Sequence, residues 1–337
     1  MRKLASLPAF ALSATLLAGG AQAAEYNLRF AHFWPATSGM HQAFESWAQA
    51  LEEDSDGRIE VEFYPSQTLA KAPQSYDAVK NRIADLTATV LGYSANRFPL
   101  TQVVELPGLV KTATQGSCMV QSLYDEGLIS AEFEDTHPIY LFTHGPGHLH
   151  TKEKAIHEPE DLAGLKIRRP TTVVAELLEG LAAQPVGMPA PEAYPSLQRG
   201  VIDGVSFPWE GMKSFRLNEE ASHHTEIGLY TVSFIITMNK GIYDGMPDDL
   251  KQIVDAHSGQ AWAAKAGAAF DELDNLGRQE AVDAGHEIIT LEGGAENPAW
   301  KPVLDAATEK YLGGLEDKGL PARKVYARAK ELSESCG

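Results

Sequence analysis

The mature part of the chain reads as alternating strands and helices. YNLRFAHFWP, residues 26–35, alternates apolar and polar positions and then runs into aromatics, the pattern of a strand whose C-terminal end opens into a loop. Phe44, Trp47, Ala48 and Leu51 recur at helical spacing over 39–54, and the turn DSDGR stops them. Ile59, Val61 and Phe63 alternate again in RIEVEFYP. Strand, helix, strand is the α/β signature. It continues with a helix over 76–83, a strand over 85–90, the loop LGYSANRFP, a helix over 115–126 and a strand over 139–143. Gly145, Pro146 and Gly147 break that strand, and extended structure resumes over 148–152, as a crossover between two lobes would require.

The second half repeats the theme. A short acidic turn in EPEDLAG leads into the strand LKIRR; 172–181 is helical, PVGMPAP extended, 193–199 helical with Gly200 ending it, and VIDGVSFP a strand. Residues 232–238, within TVSFIITMN, form the most continuous apolar run and predict a central buried strand. From Pro247 helical spacing holds for nearly forty residues, which predicts a long helix bridging or bending around both lobes. Residues 298–335 read as further helices with polar faces.

Composition narrows the setting. Arg2 and Lys3, an apolar run over 4–17 and the small-residue site Ala21-Gln22-Ala23 predict a signal peptide over residues 1–23, and hence export to the periplasm. No later segment approaches the ~20 apolar residues of a membrane span. The formal charge is −18, and losing those two cations with the signal takes it to −20, which argues against nucleic acid as a partner. The 314 residues left when 23 are removed from 337 suffice for two cores and a cleft between them. The only cysteines, Cys118 and Cys336, would meet an oxidising compartment; one long-range disulfide and two separate thiols both stay open.

Two arginines end the strand in GLKIRRP. Neighbouring strand residues face opposite ways, so one of Arg168 and Arg169 can enter a cleft while the other turns away. The guanidinium fork suits a carboxylate, although a surface pair bridged to acidic neighbours fits the spacing as well. His144, His148 and His150 in THGPGHLHT could approach one another, but no fourth ligand is preset for zinc, and hydrogen bonding to a ligand is the preferred reading. His223 and His224 read as surface helix or loop. No catalytic set assembles: GxSxG, CxxC, a P-loop and a post-strand GxGxxG are all missing, and Cys118 falls on an amphipathic helix. An exported enzyme is therefore disfavoured, and no cofactor is expected.

GLKIRRP and the later LQRGVIDG resemble the solute-binding proteins of TRAP transporters, the DctP-type family. The resemblance extends through RFAHFWP, RIEVEFYPSQTL, RFPLTQVVELPGL, APEAYPSLQRGVIDG and VSFIITMNKGIYDGMPDDL, nearly the whole mature chain. It implies a two-lobed α/β periplasmic binding protein fold with an interdomain cleft and a long bridging helix. One lobe is expected to comprise 24–147 plus about 233–275, and the other 148–232 plus about 276–337, with helices packing across both. It further implies a monomer that closes around an organic acid and delivers it to TRAP permease membrane subunits.

In that family the arginine after GLKI anchors the ligand carboxylate, which corresponds to Arg168, leaving Arg169 structural. A second arginine that many members carry in the crossover strand corresponds to His148. Where many members read VDGQENP this chain reads IDGVSFP, so Phe207 replaces a polar asparagine, with Trp209 and Glu210 close behind. His32, Phe33 and Trp34 from the first strand end, Tyr93 from the loop after Val90, and His144 complete the expected pocket. Aromatic faces with few polar tips favour an aromatic or apolar monocarboxylate, benzoate-like or an aryl or branched 2-oxo or 2-hydroxy acid, over a sugar acid. A periplasmic ligand sensor and a metal-binding protein built on His144, His148 and His150 are the alternative readings; some relatives in the family bind ligand through a bound cation, for which Glu210 would supply one carboxylate.

Overall fold

A computed structural model of the chain describes residues 24–337; the signal peptide expected over 1–23 lies outside the described residues. The first half runs β1 (Tyr26–His32), α1 (Gly39–Asp54), β2 (Ile59–Tyr64), α2 (Ser75–Lys80), β3 (Leu86–Val90), α3 (Ala113–Asp125), β4 (His137–Thr143) and β5 (Gly147–Thr151). It continues through β6 (Lys166–Arg169), α4 (Thr172–Gly180), β7 (Gln184–Gly187), α5 (Ala193–Gln198), β8 (Gly204–Phe207), α6 (Trp209–Ser214), β9 (His223–Tyr230) and β10 (Ser233–Met238). The chain closes with α7 (Lys240–Gly245), α8 (Asp248–Ala256), α9 (Gln260–Asp283), β11 (Glu287–Thr290), α10 (Lys301–Glu316) and α11 (Ala322–Ser335).

The strands form two sheets, one per lobe. The first has the order β2-β1-β3-β10-β4, the second β11-β9-β5-β8-β6-β7. β1 pairs in parallel with β2 and β3, whereas β10 runs antiparallel between β3 and β4. Every residue of β3 and β10 is buried, which accounts for their uninterrupted runs of β-branched and apolar residues: helices cover both faces of a sheet's inner strands. Side-chain oxygens close the helix starts. Ser38 Oγ accepts from the His41 N–H at 3.2 Å and Thr112 Oγ1 from the Gln115 N–H at 3.1 Å, each satisfying one orphan donor of a first turn.

The chain passes between the sheets through two short segments, 144–146 after β4 and 231–232 after β9. They are tied together, since the Thr231 hydroxyl donates to the His144 carbonyl at 2.7 Å. The third connection is α9, which packs on α3 and α1 of one lobe and on α6 of the other. The long helix expected from Pro247 onward is present over 248–283, with a bend at 257–259 that divides it into α8 and α9. Gly259 takes φ +70° there and its N–H donates to the Ile139 carbonyl at 2.8 Å, while the Trp47 indole takes the His257 carbonyl at 2.9 Å. Tertiary partners thus take the backbone groups that would have continued the helix.

Other departures are local. His223 and His224 lie in β9 rather than in a surface helix or loop, and His224 is buried. β9 pairs with β5 and β11, so its polar residues are accommodated by neighbouring strands and not by water. α10 packs on α4 and α11 on α3. Cys336, just after α11, is joined to Cys118 of α3 in a disulfide spanning 218 positions. Among the described residues no helix is long and apolar enough to cross a membrane.

Candidate ligand-binding site

The ends of β1, β3, β6 and β8 and the two crossovers surround a narrow cavity of about 30 Å³. That is far below the roughly 300–1,000 Å³ of a ligand-filled pocket, so an organic acid enters only when these walls part. Its walls are mainly aromatic: Phe33, Trp34, Phe207, Phe215, Phe234 and Phe270 all contribute. Phe33 stacks on Trp34 with ring centres 3.9 Å apart and lies nearly parallel to Phe215 at 6.3 Å.

Arg168 is the cation of this cavity and is only 2% exposed. Its Nε–H donates to the Met188 carbonyl at 3.1 Å, one Nη1–H to the Ser206 carbonyl at 3.1 Å, and one Nη2–H to the Tyr93 hydroxyl at 3.2 Å. The guanidinium also lies 4.1 Å over the Phe207 ring. Three of its five N–H groups are therefore used, leaving one on each terminal nitrogen. Among the described residues no carboxylate forms an ion pair with it. A buried charge held only by neutral partners is costly, and it is the natural counterpart of an anion. Arg169 faces the other way: a Cβ on Gly187 would come within 2.7 Å of its Cζ, so glycine there makes room for the guanidinium.

Two tyrosines stand beside Arg168. The Tyr93 oxygen accepts from Arg168 and from the Ala190 N–H at 2.9 Å, which leaves its own proton free to donate. Tyr230, which sequence reasoning missed, lines the same cavity, is 3% exposed, and has a hydroxyl with no hydrogen-bond partner. The neighbouring Ser206 hydroxyl is already committed to the Arg168 carbonyl at 2.9 Å. Burial raises the Tyr230 pKa, so the group stays a neutral donor, and the Arg168 charge acts on it in the opposite sense. Its ring is fixed against Gly147, where a Cβ would come within 2.3 Å. Its only sequence signal was a place at the end of an unrecognised strand.

His144 and Glu210 also line the cavity. His144 Nδ1 faces the Gly145 carbonyl, which can only accept, so the Nε2 of the neutral ring is an acceptor; burial lowers its pKa to about 3. Glu210, 3% exposed, receives the Ser214 hydroxyl on Oε1 at 2.6 Å. Burial pushes it up to about 7, opposed by Ser214 and the adjacent Trp34 indole. Behind it, Asp274 accepts the Glu210 N–H at 2.6 Å and is lifted well above the usual carboxylate range by burial, with the Glu210 charge adding to the shift.

Three expected pocket residues lie outside the cavity lining. His32 Nε2 is paired with His41 Nδ1 at 3.0 Å beneath α1. His148, at the position aligned with a second arginine, spends Nδ1 accepting the Gly228 N–H at 3.1 Å. Trp209 turns its indole to Glu226 at 2.9 Å, a carboxylate also held by Arg278 at 2.6 Å. For His148 and Trp209 a nearer protein partner takes the polar group that was expected to reach a ligand; His32 keeps Nδ1 unpartnered, but outside the cavity lining. Behind this wall the buried histidines form a directed chain. His150 Nε2–H donates to the Phe207 carbonyl at 3.1 Å, its Nδ1 accepts from His224 Nδ1–H at 2.8 Å, and His224 Nε2 accepts from His286 Nδ1–H at 3.0 Å. The order follows from the carbonyl at one end, which has no proton to give. Among the described residues no group of three or more His, Cys, Asp or Glu side chains is arranged to hold a metal ion.

The comparisons with known proteins agree with this architecture. The family model described as "Bacterial extracellular solute-binding protein, family 7" matches residues 30–313. A TRAP solute-binding protein from an unidentified marine microbe, specific for aromatic acid ligands and solved with metahydroxyphenylacetate, is 36% identical with a TM-score of 0.89, covering 92% of this chain and 99% of its own. One from Rhodoferax ferrireducens T118, solved with copurified benzoate, is 34% identical with a TM-score of 0.87, covering 92% and 98%. The C4-dicarboxylate-binding periplasmic protein DctP of Rhodobacter capsulatus is 25% identical over 301 residues, 84% of this chain and 86% of its own. This chain belongs to the DctP family of TRAP solute-binding proteins, bacterial extracellular solute-binding proteins of family 7.

Proposed function

We propose that this protein captures an aromatic monocarboxylate in the periplasm and hands it, as a monomer, to the membrane subunits of a TRAP transporter. The observation that carries the reading is Arg168: a buried guanidinium with two unused N–H groups, set in an aromatic cavity and lacking a protein counter-ion. A ligand carboxylate supplies the missing charge, taking the two free Arg168 protons with the Tyr93 and Tyr230 hydroxyls as further donors. The flat body then lies among Phe33, Trp34, Phe207 and Phe215, where a sugar acid would find few partners for its hydroxyls. The aromatic acids held by the marine and Rhodoferax relatives support the same ligand class.

Binding and closure are one event in this mechanism. The crossovers at 144–146 and 231–232 let the lobes rotate, and closing excludes water, which strengthens the Arg168–carboxylate pair as the local dielectric falls. A ligand that binds the closed form better shifts the population toward it, and the permease then recognises loaded protein by shape.

A thermal-shift panel of benzoate, phenylacetate, mandelate, succinate and glucuronate on purified mature protein tests the reading. An aromatic acid at 100 times its Kd contributes about 2.7 kcal/mol to the folded state. Arg168→Gln should abolish the response. Shifts produced only by succinate or glucuronate, or an undiminished benzoate shift in Arg168→Gln, would overturn it.

A further inference from the structure

The cavity carries a second polar group that a plain aromatic acid would leave unmatched. Glu210 opens α6 and is 3% exposed, yet it lines a cavity whose other walls are largely aromatic. Oε1 takes the Ser214 hydroxyl at 2.6 Å; the Trp34 indole lies beside the carboxyl, but among the described residues no donor meets Oε2 in well-aligned hydrogen-bonding geometry. A cavity-lining carboxyl oxygen with no well-aligned donor loses its water when the lobes close, a cost that a ligand donor removes.

The position of that oxygen is fixed. Glu210 is held from behind by its own backbone N–H, which donates to Asp274 Oδ1 at 2.6 Å, and from the side by Ser214. Trp34, beside the carboxyl, is 1% exposed and stacked on Phe33, so the wall next to it is rigid as well. Arg168 lies near the end of β6 and Glu210 stands in the first turn of α6, so the two line one cavity from different elements, and among the described residues no ion pair joins them.

We propose that Glu210 reads a hydroxyl on the ligand, so that the preferred substrate class is a hydroxyaryl carboxylate whose hydroxyl donates to Glu210 while its carboxylate pairs with Arg168. This rests on the aromatic-acid reading above. Glu210 serves in either protonation state, because a neutral carboxyl still presents an acceptor oxygen. A site built to accept a ligand O–H discriminates strongly against an analogue lacking it, since the buried acceptor is then left unpaired.

Titration calorimetry with benzoate and with its 2-, 3- and 4-hydroxy and matching methoxy derivatives tests this on the wild-type protein and on Glu210→Met, which keeps a similar volume without a carboxyl. One hydroxybenzoate isomer should bind wild type at least tenfold more tightly than benzoate, and its methoxy counterpart, which cannot donate, should lose that advantage. In Glu210→Met the ratio of hydroxybenzoate to benzoate affinity should fall to near one. Equal binding of benzoate and all three hydroxybenzoates to wild type overturns the inference while leaving the aromatic-acid reading intact. A hydroxyl preference that survives in Glu210→Met also overturns it, because His144 Nε2 would then be the acceptor. Failure of every benzoate to bind wild type removes the reading beneath it. If Glu210→Met does not fold, the hydroxyl and methoxy comparison on wild type decides alone.

Discussion

Arg168 donates from Nη2 to the Tyr93 hydroxyl at 3.2 Å, and this bond joins the lobes: Arg168 lies in β6 of the six-stranded sheet, while Tyr93 follows β3 of the five-stranded one. The same oxygen takes the Ala190 N–H at 2.9 Å, so Tyr93 satisfies two donors of the opposite lobe in the closed form. Tyr93→Phe keeps the ring and removes both bonds. A hydrogen bond of this kind contributes about 1 kcal/mol net, so affinity for the best aromatic acid should fall about fivefold, mainly through faster dissociation. Small-angle scattering of ligand-free protein should also show a larger radius of gyration. Unchanged affinity and dimensions would mean that Tyr93 is only part of the wall.

Tyr230→Phe separates a ligand contact from a packing role. The Tyr230 hydroxyl has no protein partner, so deleting it removes a buried orphan, and the melting temperature of ligand-free protein should hold or rise. Affinity for benzoate should nevertheless fall about tenfold or more, since a bond to a charged carboxylate contributes roughly 1.5–3 kcal/mol. A variant equal to wild type in affinity would exclude Tyr230 from the site.

Most of the fold was legible because the two periodicities are clean where strands and helices have one covered and one open face. β9 was not: HHTEIGLY carries charge and histidine inside a sheet, where His224 is paired to two other rings and Glu226 is held by Arg278, contacts that no local pattern reveals. The position of the bend between α8 and α9 was hidden for a related reason, since it depends on Trp47 and Ile139, more than a hundred residues away. At the site, Arg168, Tyr93, Trp34, Phe207, His144 and Glu210 were legible from strand ends and family motifs, and all line one cavity. His32, His148 and Trp209 sit equally near strand ends and point elsewhere, because which way a side chain turns there depends on partners distant in sequence.

The Cys118–Cys336 disulfide ties the end of the chain to α3 across 218 positions. By the loop-entropy relation a closure of that length stabilises the fold by about 5 kcal/mol. For a chain of this size that corresponds to a loss of about 5–10 °C in melting temperature on replacing both residues by serine. Benzoate affinity should change little, because α3 and α11 lie outside the cavity lining. Differential scanning calorimetry of the double variant checks the first point and calorimetric titration the second. A melting temperature within 2 °C of wild type would show that the packing of α11 on α3 suffices without the bond.

Stability should fall as the medium is acidified from pH 6.5, and the buried histidines set the direction. Burial is the largest cause in every case: it holds His32, His144 and His224 at about 3, His148 at about 4 and His150 well below its ordinary 6.5. Below pH 6.5 the unfolded chain binds protons at these rings and the folded chain does not, so their contribution is full above 6.5 and is lost as pH falls toward the folded values. Each such ring adds a slope of about 1.4 kcal/mol per pH unit. Glu105 and Glu210 act in the opposite sense. Burial lifts both to about 7 from 4.5, so the folded state keeps protons that the unfolded state has released, and their cost grows as pH rises through that window. Asp274 is raised in the same way. Between pH 4.5 and 6.5 the rings whose pKa burial lowers, His137 and His286 with the five above, outnumber the carboxyls it raises, Glu132 with the three above, so the net slope favours the higher pH. Melting curves should therefore drop by about 5 °C or more from pH 6.5 to 5. His224→Gln takes one ring out of the chain between His150 and His286, and should flatten the dependence by about 1.4 kcal/mol per pH unit. Parallel pH profiles for variant and wild type would place the acid sensitivity in the exposed ion pairs instead of this histidine chain.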